Sequence, residues 1–448
     1  MKLVVLGAKE SGTGAALLGK KLGYSVFLSD MGNVDDKYKL VLDKEQIPYE
    51  EGLHSIEKII EADLVVKSPG IPDKAPVVKA LNEKGIEIIS EIEFAGRHSQ
   101  AQMICITGSN GKTTTTLLTH HILKCGGIDA GLAGNVGYSL AAQVAENAHP
   151  VYVVELSSFQ LDNMFRFRAD VAVITNITPD HLDRYDYKFE NYIASKFRVL
   201  QNMDASGLFI YGKDNETAAD WVKTMEIVPE VTSFTYADQS TGQNAWMDGD
   251  VLDLTLDGRH LRIHKDKISI QGRHNIYNAM AAILVAMKMN ISDEKIEEGL
   301  RTFPQVEHRM ERVLVADGVT YINDSKATNV DSTWYALDSM SGPTIWIAGG
   351  TDKGNDYACL TDLARQKVKL LICMGLDNQK LLDSFTGICP LVSTHSLADT
   401  MAEVVKHAEQ GDTVLLSPCC ASFDLFRSYE DRGKQFKQAV NKIGKINV

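Results

Sequence analysis

The sequence lacks several things, and each absence narrows what the chain can be. No apolar run approaches the roughly 20 residues that a membrane-spanning helix needs, and there is no low-complexity tract or internal repeat. The opening MKLVVLGAKE goes straight into a strand pattern, without the charged-then-apolar order of a secretory signal. Cysteine is scattered: the seven are an odd number, mostly inside apolar runs, with one adjacent pair at Cys419 and Cys420. No spacing suits a zinc site, so the thiols read as reduced and the chain as cytoplasmic. Positive charge is also short. Lys and Arg number 46 against 59 Asp and Glu, a net charge of −13, which argues against nucleic acid or an anionic membrane surface as partner. Any anionic ligand must then be held by local basic groups.

What is present is the composition of a soluble globular enzyme, 44% hydrophobic and 23% charged. A chain of 448 residues exceeds one hydrophobic core and implies two or three domains. The most informative stretch is 103–116, MICITGSNGKTTTT. A short β-branched run reads as a buried strand, Gly108 and Gly111 punctuate a loop, and Lys112 and Thr113 open a segment with helical spacing at Leu117, Leu118, His121 and Ile122. Strand, glycine loop and helix N-terminus in that order form a phosphate cradle: backbone N–H groups and the helix dipole face the anion, a lysine reaches the outer phosphates, and a hydroxyl can ligate Mg²⁺. The generic pattern wants its first glycine at position 106, where this chain has Ile. The bland alternative is a glycine turn before an ordinary helix.

Before this loop, residues 2–6 form an apolar strand followed by Gly7, Gly12 and Gly14, and 25–28 form a second strand running to Asp30. This is a Rossmann-like opening, although Lys9 stands where the dinucleotide fingerprint has its second glycine. It serves either nucleotide binding or a plain structural βαβ unit. Another strand ends in the turn Ser68-Pro69-Gly70, at the sheet end where ligands of open α/β proteins sit. After the phosphate loop come a glycine-bracketed turn around Asn135, and a strand at 151–154 leading into Glu155. Glu155 suits Mg²⁺ ligation, or else caps a helix. The strand 171–175 delivers Asn176 and then Asp180-His181-Leu182-Asp183, a histidine placed for metal or phosphate work. Lys196 lies on an amphipathic helix and alone would be a solvated lysine. Residues 228–270 read as an antiparallel insertion. The polar start of the alanine-rich helix after Gly272, with Asn278, either caps the helix or faces a purine. The last third alternates strands and helices again, and its strand ends carry Asp324, Lys326 and Thr328, then Lys353, then Ser422. Two lysines in an acidic protein read as clamps for an anionic substrate. Polar stretches place the domains at 1–98, 99–303 and 304–448, all α/β.

These residues together resemble the Mur ligase family, ATP-dependent ligases that add amino acids to the cell-wall precursor. The resemblance covers essentially the whole chain. It is carried by residues 107–114, by Glu155 with the Leu-Ser-Ser after it, by Asn176 with Asp180-His181-Leu182-Asp183, by Lys196, by Gly272, His274, Asn275 and Asn278, and by His308-Arg309. The loop 323–329, with 349–354, is similar to the branch that adds D-glutamate. The resemblance implies a Rossmann-like N-terminal domain, a central P-loop domain with a small antiparallel insertion, and a doubly wound C-terminal domain. It also implies UDP-N-acetylmuramoyl-L-alanine, D-glutamate, ATP and Mg²⁺ as ligands, with a monomer as the working form. By the same resemblance Ser11, Asp30, Ser68, Gly70 and Asn135 contact the UDP substrate, and Gly108, Ser109, Asn110, Gly111, Lys112, Thr113, Thr114, Asn278, Arg309 and Asp324 contact ATP. Thr113, Glu155, His181 and a carbamylated Lys196 serve metals; Lys112, His181 and Lys196 are catalytic; Lys326, Thr328, Lys353, Ser422, Phe423 and Tyr429 bind substrate in the third domain. A P-loop kinase or ATP-driven binding module, or a folylpolyglutamate synthase, are the other readings. The 100 residues before the loop count against the last.

Overall fold

The computed structural model describes residues 1–237, 244–270 and 272–446. Strand Lys2–Leu6 lies at the middle of a five-stranded, all-parallel sheet. Ser25–Asp30 and then Tyr49–Glu51 flank it on one side, Leu64–Lys67 and then Glu87–Ile89 on the other. Leu3 and Val5 pack into one apolar cluster and Val4 and Leu6 into another. A parallel strand covered on both faces cannot alternate with polar residues, which is why its sequence is a continuous apolar run. Strand order reverses between Lys2–Leu6 and Leu64–Lys67, so the loops after Leu6 and Lys67 open the crevice in which such sheets take ligands.

The second sheet has nine strands. Its parallel part runs Ala130–Gly134, Val151–Glu155, Gln102–Thr107, Val171–Ile174, Leu208–Gly212, Glu230–Phe234. Gln102–Thr107 stands at its reversal point and delivers the phosphate loop there. The expected insertion differs from its reading: Glu230–Phe234 pairs in parallel with its neighbours on both sides, Ala245–Asp248 among them, and only Val251–Leu256 runs antiparallel, to Ala245–Asp248 and Arg259–His264. They extend the central sheet rather than standing apart from it, and residues 238–243 of that stretch lie outside the described residues.

The third sheet has six strands, in the order Glu311–Ala316, Val319–Asn323, Thr413–Leu416, Thr344–Ala348, Val368–Met374, Leu391–Thr394. All pair in parallel except Glu311–Ala316, an antiparallel edge. The chain forms two compact units, residues 1–268 with 275–303, and residues 269–274 with 304–448. The first contains two of the sheets, the second the third.

Candidate active site

The phosphate loop occupies the end of Gln102–Thr107 and opens helix Lys112–Cys125. Gly111 caps that helix with φ +83°, and a Cβ there would come within 2.4 Å of Asn278 Oδ1. Only glycine meets both demands. Asn278 is brought to the loop by helix Arg273–Lys288; its Oδ1 also accepts from Thr115 Oγ1 at 3.1 Å, and its Nδ2 donates to Asn275 Oδ1 at 3.1 Å. The adjoining strand end shapes the rest of the loop. Asn176 Oδ1 accepts from the Asn110 N–H at 2.9 Å, Asn176 O accepts from the Ser109 N–H at 2.8 Å, and Ser109 Oγ donates to Thr178 O at 2.8 Å. Thr113 and Thr114 are buried in the first helical turn.

Two lysines meet this loop. Lys112 Nζ donates to the carbonyls of Gly108 and Ser109, both at 2.8 Å, and Lys196 Nζ donates to the same Gly108 carbonyl at 2.7 Å. Lys196, expected from its sequence alone to be solvated, is 1% exposed and sits 4.5 Å over the Tyr192 ring. Burial, reinforced by the charge of Lys112, holds its pKa well below the usual lysine value, so the neutral amine is favoured. His181 adopts a left-handed backbone at φ 53°, with Nε2 3.6 Å from Asp180 Oδ2 and its ring edge-on to Phe159 at 5.2 Å between centroids.

Glu155 ends the neighbouring strand and is 1% exposed. Its Oε1 accepts from Asn135 Nδ2 at 3.0 Å, but its buried Oε2 has no hydrogen-bond partner among the described residues. A buried carboxylate oxygen left unsatisfied is costly, and a cation relieves it. With the hydroxyl of Thr113 at the helix start, the donors are hard oxygens, the set Mg²⁺ prefers. Among the described residues no group of three or more His, Cys, Asp or Glu is placed to hold a metal.

In the first sheet, Asp30 Oδ2 accepts from the Ala8 N–H at 2.7 Å and its Oδ1 from Gly32 at 2.8 Å, so it shapes the turn that leads to Ser11 on helix Glu10–Lys21. Ser68 Oγ is buried against Gly7 with no hydrogen-bond partner among the described residues, and the space over Gly70 is open. Both faces of the reversal point are thus polar and accessible in part. Asn135 joins the central sheet instead: its N–H donates to Glu155 O at 2.9 Å.

The second unit gathers the remaining residues at the C-terminal ends of its strands. Asp324 is buried; Ser417 Oγ donates to its Oδ2 at 2.9 Å and the Met310 N–H to its Oδ1 at 3.2 Å. Burial pushes its carboxyl up to about 7 against the opposing pull of Arg309. Arg309 Nε is itself buried without a hydrogen-bond partner among the described residues. Lys326 lies 5.4 Å over the Tyr429 ring, and Thr328 follows in the same loop, its N–H bonded to Lys326 O at 3.0 Å. Ser422 is buried, whereas Lys353 and Phe423 are exposed. The structure therefore pairs Lys326 with Tyr429 directly but leaves Lys353 on an open turn.

Arg432 was not anticipated. It is 1% exposed and its guanidinium joins three of these loops, donating to Ser325 Oγ at 3.0 Å, Ser325 O at 2.9 Å, Cys420 O at 3.1 Å and Gly349 O at 3.4 Å. The available signal was its spacing on helix Tyr429–Ile446: Phe436 and Val440, four and eight residues on, are buried on the same stripe.

A glycine loop between a strand end and a helix N-terminus at a sheet reversal point, with a buried carboxylate ending the neighbouring strand, is the layout of a P-loop phosphate cradle. The chain belongs to the Mur ligase family. Residues 3–77 match the MurD N-terminal domain, 106–286 the Mur ligase middle domain, and 308–420 the Mur ligase glutamate ligase domain. It is 49% identical over 443 residues to a UDP-N-acetylmuramoylalanine--D-glutamate ligase of Christiangramia forsetii, covering 99% of both chains. It is 50% identical over 444 residues to the protein of the same name in Bacteroides fragilis, covering 99% of this chain and 100% of that one. Among solved structures, a pseudomurein peptide ligase type C from Methanothermus fervidus shares the fold at 20% identity and a TM-score of 0.63, over 99% of this chain and 100% of that one.

Proposed function

We propose that this chain is an ATP-dependent ligase that joins the carboxyl of UDP-N-acetylmuramoyl-L-alanine to the amine of D-glutamate, as a monomer in the cytoplasm, during synthesis of the peptidoglycan precursor. The observation that carries the reading is the full-length likeness, at 49% and 50% identity, to ligases of that name. The geometry supports a division of labour. Residues 1–98 hold the UDP portion through Ser11, Asp30, Ser68 and Gly70, with Asn135 from the following domain. Residues 99–303 hold the ATP phosphates on the loop 108–114, with Asn278. Residues 304–448 supply Arg309 and Asp324 for the nucleotide, and Lys326, Thr328, Lys353, Ser422, Phe423 and Tyr429 for glutamate.

In the first step the substrate carboxylate attacks the γ-phosphorus, the bridging P–O bond to the β-phosphate breaks, and ADP leaves. The glutamate amine then attacks the carbonyl carbon of the acyl phosphate. A C–N bond forms, the C–O bond to phosphate breaks, and the amine loses a proton. Both steps bring anions together, so the residues work by charge neutralisation and alignment. Lys112 supplies a positive charge at the loop. Mg²⁺ held by Thr113 and Glu155, and a second ion near His181 and Lys196, would offset phosphate charge. The lowered pKa of Lys196 favours the form that can be carbamylated: the neutral amine adds to CO₂, one proton is released, and the amine becomes an anionic oxygen donor.

The test is phosphate release by the full chain with ATP, Mg²⁺ and UDP-N-acetylmuramoyl-L-alanine, offering D-glutamate, L-glutamate, L-lysine and D-alanyl-D-alanine separately. Release with D-glutamate alone, and a product heavier by one glutamyl residue, is expected. Release that ignores the amino acid would point to a kinase or plain ATPase instead.

A further inference from the structure

Glu91 is a carboxyl only 4% exposed, and the chemistry above makes no use of it. It opens the short helix Glu91–Gly96, capped by Ser90, whose Oγ accepts from the Glu93 N–H at 3.1 Å. Glu91 Oε1 receives two hydrogen bonds, from Ser139 Oγ at 2.7 Å and from the Ala141 N–H at 2.6 Å. Both donors stand at the start of helix Leu140–Glu146, of which Ser139 is the cap. On its other side Ser139 meets helix Glu10–Lys21. A Cβ on residue 14 would fall 2.0 Å from Ser139 Oγ, so the contact exists only because that residue is Gly14. One hydroxyl is held between the backbone of Gly14 and the carboxyl of Glu91.

The two segments that meet at this hydroxyl each carry a residue read above as a contact of the UDP-linked substrate. One turn before Gly14 is Ser11. Four residues before Ser139 is Asn135, which is pinned to Glu155 through both its backbone and its side chain, at 2.9 and 3.0 Å. A ligand that touches both must find them at a fixed separation. We propose that Glu91 is a positioning residue for the UDP-linked substrate, setting the placement of the Ser11 helix against the Asn135 turn through Ser139. The proposal rests on the substrate reading given above.

A purely structural role is already taken by its neighbour. Glu93, on the same helix, accepts from the N–H groups of Phe165, Arg166 and Phe167 at 3.0, 2.8 and 2.8 Å, and from Arg97 Nε at 2.7 Å. That cluster joins the first sheet to the second without Glu91. Removing Glu91 leaves that joint in place and frees the Ser139 hydroxyl and the Ala141 N–H at the start of helix Leu140–Glu146.

The experiment compares Glu91→Ala and Glu91→Gln in the full chain, measuring KM separately for UDP-N-acetylmuramoyl-L-alanine, ATP and D-glutamate. For the alanine variant, which loses both hydrogen bonds to the carboxyl, KM for the UDP substrate is expected to rise about tenfold or more. The KM values for ATP and D-glutamate stay near those of the unaltered chain. Glutamine keeps an oxygen that accepts from both donors and restores most of the affinity. Should Glu91→Ala not fold, Ser139→Ala removes one of the same two bonds and is read in the same way. An unchanged KM for the UDP substrate, or an equal rise in all three, overturns the proposal. Failure of the unaltered chain to release phosphate with D-glutamate overturns the substrate reading instead.

Discussion

Lys112 and Lys196 donate to one carbonyl, that of Gly108, and two ammonium groups so close in a buried site repel one another. The structure resolves this by burying Lys196, whose proton is disfavoured, while Lys112 stays part-exposed as the cation. Lys112→Ala is therefore expected to cut kcat by roughly 10²-fold or more, since an anionic transition state loses its charge partner. The circular dichroism spectrum should be unchanged; turnover near normal would remove the loop from the mechanism. Magnitudes separate the two lysines of the third sheet. Lys353 is exposed, and an exposed ion pair contributes on the order of 0.2–1 kcal/mol, so Lys353→Ala should raise KM for D-glutamate by about fivefold at most. Lys326 is half-buried over Tyr429, and Lys326→Ala should cost more. The reverse order of the two KM values, or an effect on ATP alone, would reassign them.

At the scale of elements, the junction of strand, loop and helix is the tightest constraint in the chain. Gly111→Ala must place a Cβ at φ +83° and within 2.4 Å of Asn278 Oδ1, strain of about 1–3 kcal/mol before any rearrangement of Asn278. KM for ATP is expected to rise while KM for D-glutamate holds; a normal ATP KM would show that the cap tolerates a side chain. This junction was legible in the sequence, because a β-branched run, two glycines and Lys112-Thr113 fall within fourteen residues and their meaning is local. The strands at 2–6, 25–28, 151–154 and 171–175 were legible for the same reason, each being a short continuous apolar run. Strand Tyr49–Glu51 was not, being three residues of mixed polarity at a sheet edge, nor was the parallel pairing of Glu230–Phe234, since alternation within a strand does not reveal its partner. Burial of charge was the least legible property. Glu91, Glu93 and Arg432 look like solvated helix faces. What buries them is backbone from far along the chain, such as the N–H groups at 165–167 and the carbonyls of Gly349 and Cys420.

At the scale of the whole molecule, an acidic chain with a net charge of −13 keeps one carboxyl in each unit far above its ordinary range. Glu91 and Asp324 are each pushed up to about 7, in both cases by burial first. Unfolding returns them to values of 4.5 and 3.8, so the unfolded chain gives up these protons at lower pH than the folded one. Each group's contribution to stability is therefore complete below its unfolded value and is lost as pH rises through about 7, the opposite of a salt-bridged carboxylate. The loss amounts to about 3 kcal/mol for Glu91 and about 4 for Asp324 as upper figures. Glutamine and asparagine do not titrate, so Glu91→Gln should gain on the unaltered chain between pH 4 and pH 8 in the first unit, and Asp324→Asn in the second. Because two units need not unfold together, one midpoint is a poor measure. Hydrogen exchange of the amides in Lys2–Leu6 and in Thr413–Leu416 reports each separately. The expected result is a gain that grows with pH and stays within the substituted unit. A difference from the unaltered chain that is the same at both pH values would show that the carboxyl titrates in its ordinary range, and its burial would then need another account.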